Sequence, residues 1–137
     1  MTVTVDEHNA RSAGTFAGFL GITFYESTTG STKARLPVRS ELLAANGFLH
    51  AAAVVGLADT ACGYGCVANL PEGATGFTTI ELKSNFLGTA RSGTISVAAT
   101  LAHGGRSTQV WDAVVTSEDG KTIALFRCTQ MILYPRG

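Results

Sequence analysis

The chain has 137 residues, enough for one domain with a sizeable core. Ten basic residues balance ten acidic ones, so no net charge draws the chain to nucleic acid or to an anionic membrane. Three cysteines without paired spacing argue against a disulfide framework and for a reducing compartment, the cytoplasm.

In chain order, residues 1–12 are polar, with Asp6, Glu7, His8 and Arg11, and lack the charged start and apolar core of a secretory signal. Residues 1–13 are therefore expected to be a flexible tail, and residues 14–137 a single domain. The apolar run 15–20, bounded by Gly14 and Gly21, predicts a helical turn that plugs one end of a sheet. Alternation around Thr29-Gly30 predicts a hairpin of strands at about 22–28 and 32–38, with Pro37 at a strand end or edge. Residues 41–48 read as a loop that delivers the chain to a helix at about 51–68.

That helix is almost wholly Ala, Val, Gly, Leu and Cys. Its three glycines, Gly56, Gly63 and Gly65, each cost roughly 1 kcal/mol in an exposed helix, which predicts close approach of a sheet or of a second helix. The apolar window 49–70 is long enough for a membrane span, but Asp59, the glycines and Asn69 weaken that reading, and no second span exists. Residues 69–76 form a break. Strand patterns then follow at 78–87, 94–102, 107–116 and 122–133, separated by glycine-containing turns that predict a meander of three hairpins. The class is α+β, an antiparallel sheet of five to six strands with one long helix.

One carboxylate in such a helix must be paired or functional, because burying a lone charge is costly. His50 and Asp59 are nine residues apart, on opposite helix faces and roughly 13 Å apart along the axis. A site using both needs two subunits. The free N–H groups at the helix start, on Ala51 and Ala52, suit an oxygen gaining negative charge. Cys62 and Cys66 lack the further ligands of a metal site and are expected to be small buried hydrophobes. His8 and His103 are expected at the surface, and Trp111, Phe16, Phe19, Phe77, Phe86 and Phe126 in the core.

Leu49-His50-Ala51-Ala52 followed by Leu57-Ala58-Asp59, with Gly47 three before the histidine, resembles the G-x-x-H-G-G…L-A-D signature of hot-dog-fold acyl-CoA thioesterases of the phenylacetate-degradation and 4-hydroxybenzoyl-CoA type. The likeness spans roughly residues 15 to 134. It implies a curved sheet wrapped around the long helix, a homodimer with shared active sites, a homotetramer built from two such dimers, and an acyl-CoA thioester substrate. No metal and no cofactor is implied, since coenzyme A is part of the substrate.

By this resemblance Asp59 is the nucleophile or the general base, and His50 and the Ala51 N–H hold the thioester carbonyl. Thr79, or Thr78 if the strand slips by one, would hold the attacking water. Two departures stand out: the family's glycine pair is here Ala51-Ala52, and the family's Asn or Gln six before the histidine is Ala44, with Asn46 two residues later as the substitute. Arg91, Arg106 with Ser107 and Thr108, and Lys83 are the expected phosphate contacts, and Phe86 or Phe48 the acyl contacts. Two readings follow: a hydrolase of acyl- or aryl-CoA thioesters, or a non-catalytic acyl-CoA binding or sensing protein, for which the Ala51-Ala52 change is the argument. A dehydratase or hydratase on this fold is a third reading without its usual catalytic pairing.

Overall fold

The computed structural model describes residues 3–136. Its elements are α1 (Val5–Ser12), α2 (Phe16–Leu20), β1 (Thr23–Thr28), β2 (Ser31–Pro37), a 3-10 turn (Ser40–Leu42), α3 (Ala51–Ala68), β3 (Gly76–Phe86), β4 (Thr94–Gly104), β5 (Thr108–Thr116) and β6 (Thr122–Leu133). The six strands form one antiparallel sheet in the order β1-β2-β4-β5-β6-β3. Only two of the three expected late hairpins exist. β3 crosses the sheet to pair with β6, and β4 pairs with β2, so the link between β3 and β4 is a crossover. Alternation fixes which residues face inward, not which strand is the neighbour.

One sheet face buries Leu36, Ile95, Val97, Trp111, Val115 and Phe126 against α3, while Val114, Leu125 and Met131 lie exposed on the other. This is the inside-outside alternation of an antiparallel sheet with one covered face. The α3 helix touches β2 through β6, so the sheet surrounds it. Its apolar length is enough to cross a membrane by composition, but here it fills the core of the sheet, where Leu57, Ala61, Cys62 and Cys66 are fully buried.

The glycines of α3 mark where neighbours press on the helix. A Cβ at Gly65 would lie 2.6 Å from the Trp111 ring and 2.8 Å from Thr32 Oγ1, one at Gly56 2.7 Å from Leu20, and one at Gly63 3.0 Å from the Phe77 ring. The chain's own sheet and α2 therefore make these close approaches. Behind Trp111, a buried polar chain ties the sheet to the helix end: Trp111 Nε1 donates to Gln109 Oε1 at 2.8 Å, and Gln109 Nε2 donates to Asn69 O at 2.8 Å.

The N-terminal segment is not a loose tail. Thr4 and Glu7 form a capping box that starts α1, and Asn9 docks the helix on edge strand β1, accepting from Phe24 N–H at 2.8 Å and donating to Phe24 O at 3.1 Å. Asn9 thus supplies the pairing a further strand would give. His8, expected at the surface, is fully buried beside the Phe24 and Tyr64 rings and hydrogen-bonded to Ser27 at 3.1 Å. A polar stretch hid this role because its docking contacts are long-range. The first two residues of the expected tail lie outside the described residues.

Two outcomes follow for stability. Gly65→Ala should destabilise by about 1–3 kcal/mol through overpacking on Trp111, read as a lower Tm, even though alanine favours helix. Burial, and then Arg11, hold the His8 imidazole below its ordinary 6.5, against an opposing pull from Glu7. The unfolded chain therefore takes up this proton first. His8's contribution is complete above pH about 6.5 and is lost as the pH falls toward the lower folded value. Tm should drop on acidification below that point, and His8→Gln should flatten the drop; an equal slope in both proteins would refute this.

Candidate active site

The loop before α3 is built to present its first residue. Leu43 and Leu49 form an isolated bridge, Ala44 N–H donates to Phe48 O at 2.7 Å, and Gly47 takes φ +88, with its N–H on Ala44 O at 2.9 Å. Only glycine enters that region cheaply. The Asn46 side-chain oxygen accepts from Phe48 N–H at 3.1 Å, which gives Asn46 a turn-forming part in this loop.

His50 is the N-cap of α3. Its Nδ1 accepts from Ala52 N–H at 2.9 Å, so the neutral ring carries its proton on Nε2 at the exposed edge. Ala53 N–H donates to His50 O. Sequence reasoning left the N–H groups of both Ala51 and Ala52 free. The imidazole occupies Ala52's, which leaves that of Ala51 at the positive end of an 18-residue helix.

Asp59 lies midway along the same helix, half-buried, and its Oδ1 is buried without a hydrogen-bond partner among the described residues. Neither Thr60 nor the backbone gives this oxygen a hydrogen bond. Burial pushes its carboxyl above the ordinary 3.8. Such a carboxylate is a better base than a solvated one, and it costs the fold stability when ionised. The neighbouring thiols are poor nucleophiles. A hydrogen bond with Cys128 and then burial raise Cys62 well above its ordinary value, and burial pushes Cys66 up to about 12.

Thr79 pairs with Gln130, a fully buried residue, so its side chain is on the inner sheet face. Thr78 pairs with exposed Met131 on the outer face, which removes the one-residue alternative. Leu82 and Phe86 pair with the buried Cys128 and Ala124, yet they remain 43% and 46% exposed because β3 is an edge strand that α3 does not fully cover. Phe16 and Phe19, also expected in the core, are exposed on α2.

The expected coenzyme contacts divide between the two ends of α3. Arg91 stacks 4.1 Å from the Phe48 ring, in the loop whose Ala90 O accepts from Leu49 N–H at the helix start. Arg106 and Ser107 lie in the β4–β5 turn and Thr108 opens β5; Arg106 stacks over Tyr134, and Gln109 bonds the helix C-cap. The helix is about 27 Å long, so one chain does not bring the two groups together. Lys83 is on the outer face with Arg127. Beside His50 lies a mostly apolar, open cavity of about 240 Å³ between α2, the 3-10 turn and the start of α3, lined by Phe16, Leu20, Leu42, Leu43, Ala52 and Ala53 together with Glu41. Neither Phe48 nor Phe86 lines it. Sequence reasoning took Phe16 for core, since no local pattern tells an apolar wall from an apolar interior.

A family model described as the thioesterase superfamily matches residues 46–124, more than half of the chain. A 1,4-dihydroxy-2-naphthoyl-CoA hydrolase of Escherichia coli is 31% identical over 134 residues, covering 96% of each chain. A thioesterase of Pseudomonas aeruginosa, solved as a mutant, superposes with a TM-score of 0.92 at 29% identity, over 97% of this chain and 96% of that one. The PaaI protein from the phenylacetic acid degradation operon of E. coli superposes with a TM-score of 0.83 at 25% identity, over 92% and 89%. The chain belongs to the thioesterase superfamily, has its hot-dog fold, and is a thioester hydrolase.

Asp59's raised pKa has a stability consequence of definite sign. The folded state holds this proton more tightly than the unfolded one, so the contribution is present below pH about 3.8 and is lost as pH rises through the higher folded value. Asp59→Asn should therefore unfold at neutral pH at a Tm equal to or above that of wild type. A fall of several degrees would show that the carboxylate is satisfied in the fold.

Proposed function

We propose that the chain is an acyl-CoA thioesterase in which Asp59 of one subunit acts on a thioester held at the helix start of its partner. The observation that carries this reading is the buried, unpartnered Asp59 Oδ1 in an otherwise apolar helix. In the mechanism, the thioester oxygen accepts from Ala51 N–H at the helix dipole's positive end, with His50 Nε2–H as a second donor. Asp59 attacks the carbonyl carbon to give a mixed anhydride that water cleaves, or deprotonates a water held by Thr79; either route releases the acid and coenzyme A thiol.

Two subunits are needed because His50 and Asp59 stand nine residues apart on one helix. The free β3 edge, with Ile80, Leu82 and Phe86 exposed, is the surface on which a second copy would dock. Such an antiparallel dimer would also bring Arg106, Ser107 and Thr108 of one subunit toward Arg91 of the other, which supports a shared coenzyme site. The exposed Val114, Leu125, Met131 and Leu133 of the outer face support pairing of dimers into a tetramer. Three buried free thiols fit a cytoplasmic location.

The test is release of coenzyme A thiol from short, long and aryl acyl-CoA thioesters. Wild type should turn over at least one of them, and Asp59→Ala should lose about 10²-fold or more in kcat. Mixing Asp59→Ala with His50→Ala chains should restore activity through hybrid dimers. Unchanged turnover by Asp59→Ala would overturn the catalytic assignment, and binding without turnover by wild type would make the chain an acyl-CoA sensor.

A further inference from the structure

We propose that Gln130 of β6 is a positioning residue for hydrolysis, its side-chain amide turning the Thr79 hydroxyl so that it donates to the attacking water. This inference rests on the thioesterase reading and deepens it, since it says how the water held by Thr79 is oriented for Asp59.

The first observation is an unanswered donor. Gln130 is fully buried, yet its Nε2 makes no hydrogen bond among the described residues. The other end of the amide is fixed, because the Cys128 thiol donates to Oε1 at 3.5 Å. On β5 its ladder partner is Gln109, whose two side-chain groups are both engaged: Nε2 donates to Asn69 O and Oε1 accepts from Trp111 Nε1. On β3 its partner is Thr79. Side chains directly opposite in an antiparallel pair have Cβ atoms about 4.5–5.5 Å apart, and a staggered rotamer of threonine turns Oγ1 toward the neighbouring strand. A buried N–H without an acceptor is costly, and Thr79 Oγ1 is the side-chain acceptor that the ladder offers it.

The second observation places this pair at Asp59. Of the inner-face neighbours of Thr79 and Gln130, Phe77 has its ring against Gly63, and Cys128 is hydrogen-bonded with Cys62. Cys62 and Gly63 follow Asp59 by three and four residues, on its own face of α3. The Thr79–Gln130 pair therefore faces the turn of α3 that begins at Asp59.

The third is a bulge. The β3–β6 register shifts between Thr79 and Glu81, with Ile80 as the extra residue. A bulge bends its strand and re-aims the side chains beside it, here on the edge strand of the sheet. Thr79 is thus half-buried at the edge, with Gln130 sealed behind it.

A hydroxyl has one proton to give and two lone pairs. With Gln130 Nε2–H donating to Oγ1, the Thr79 proton is directed to the water. The water then accepts from Thr79, donates to Asp59 Oδ1 and keeps a lone pair for the carbonyl carbon. As the water oxygen bonds to that carbon, its proton passes to Asp59. The tetrahedral intermediate expels the coenzyme A sulfur, which takes up the proton and leaves as thiol. From Cys128 to Gln130, Thr79 and the water, every donor points the same way, and such chains strengthen their members. Without the amide, Thr79 Oγ1 is free to accept from the water, which turns a water proton away from Asp59.

The experiment is a double-mutant cycle on kcat, with an acyl-CoA thioester that wild type turns over. It compares wild type, Thr79→Val, Gln130→Met and the double variant, beside Asp59→Ala. Each single variant should lose about tenfold in kcat with KM changed by less than about twofold. The double variant should also lose about tenfold rather than about a hundredfold. A purely structural Gln130 would lower Tm, and its effect on kcat would multiply with that of Thr79→Val. Because Gln130 is buried, Gln130→Asn, which keeps an amide one methylene short of Thr79, is measured as well and should show the same loss even if Gln130→Met does not fold.

Losses that multiply, an unchanged kcat, or a loss confined to KM would overturn the positioning role. Turnover retained by Asp59→Ala, or absent from wild type on every thioester, would instead mark failure of the thioesterase reading, and the positioning role would fall with it.

Discussion

The fold depends on how closely the sheet approaches α3 at Gly65, where Trp111 and Thr32 occupy the space a methyl group would need. A helix of small residues can be surrounded on several sides, and the Trp111–Gln109–Asn69 chain holds the sheet in register with the helix end. Among the described residues the helix start keeps one N–H, that of Ala51, without a capping partner, and Asp59 lies beside the packed stripe of Leu57, Ala58, Ala61 and Cys62.

Two imbalances on one helix are what the proposed chemistry rests on. An uncapped donor attracts negative charge, and an unsatisfied carboxylate seeks a proton or an electrophile; both are states a folded chain otherwise avoids. Their separation along the helix keeps them from cancelling each other. The unpaired β3 edge is the third unfinished feature, and a second copy joined there would answer all three with the same contact. Stability not used at these places is recovered elsewhere, in the Asn9 clamp on β1 and in the Arg39 clamp on α2.

The substitution of Ala51-Ala52 for a glycine pair bears on this balance. A methyl group on residue 51 does not remove its N–H, and the His50 ring engages only the N–H of residue 52. The helix start therefore retains the N–H of residue 51, while Ala52 adds its methyl group to the lining of the cavity that Phe16 and Leu43 also border.

Much of this was legible in the chain itself. The bounds of α3, the hairpin of β1 and β2 and the exceptional standing of Asp59 and His50 follow from local pattern, because helix periodicity, glycine turns and a charge among apolar residues are properties of neighbours in sequence. What only the tertiary structure decided is long-range. The pairing of β3 with β6, the docking of α1 through Asn9 and His8, the burial of Trp111 against Gly65, and the exposure of Phe16, Phe19 and Phe86 each depend on residues distant in the chain. An apolar side chain carries the same transfer free energy whether it ends in a core, a pocket wall or a sheet edge. Sequence shows that it will seek cover, and the assembled neighbours alone determine whether cover is there.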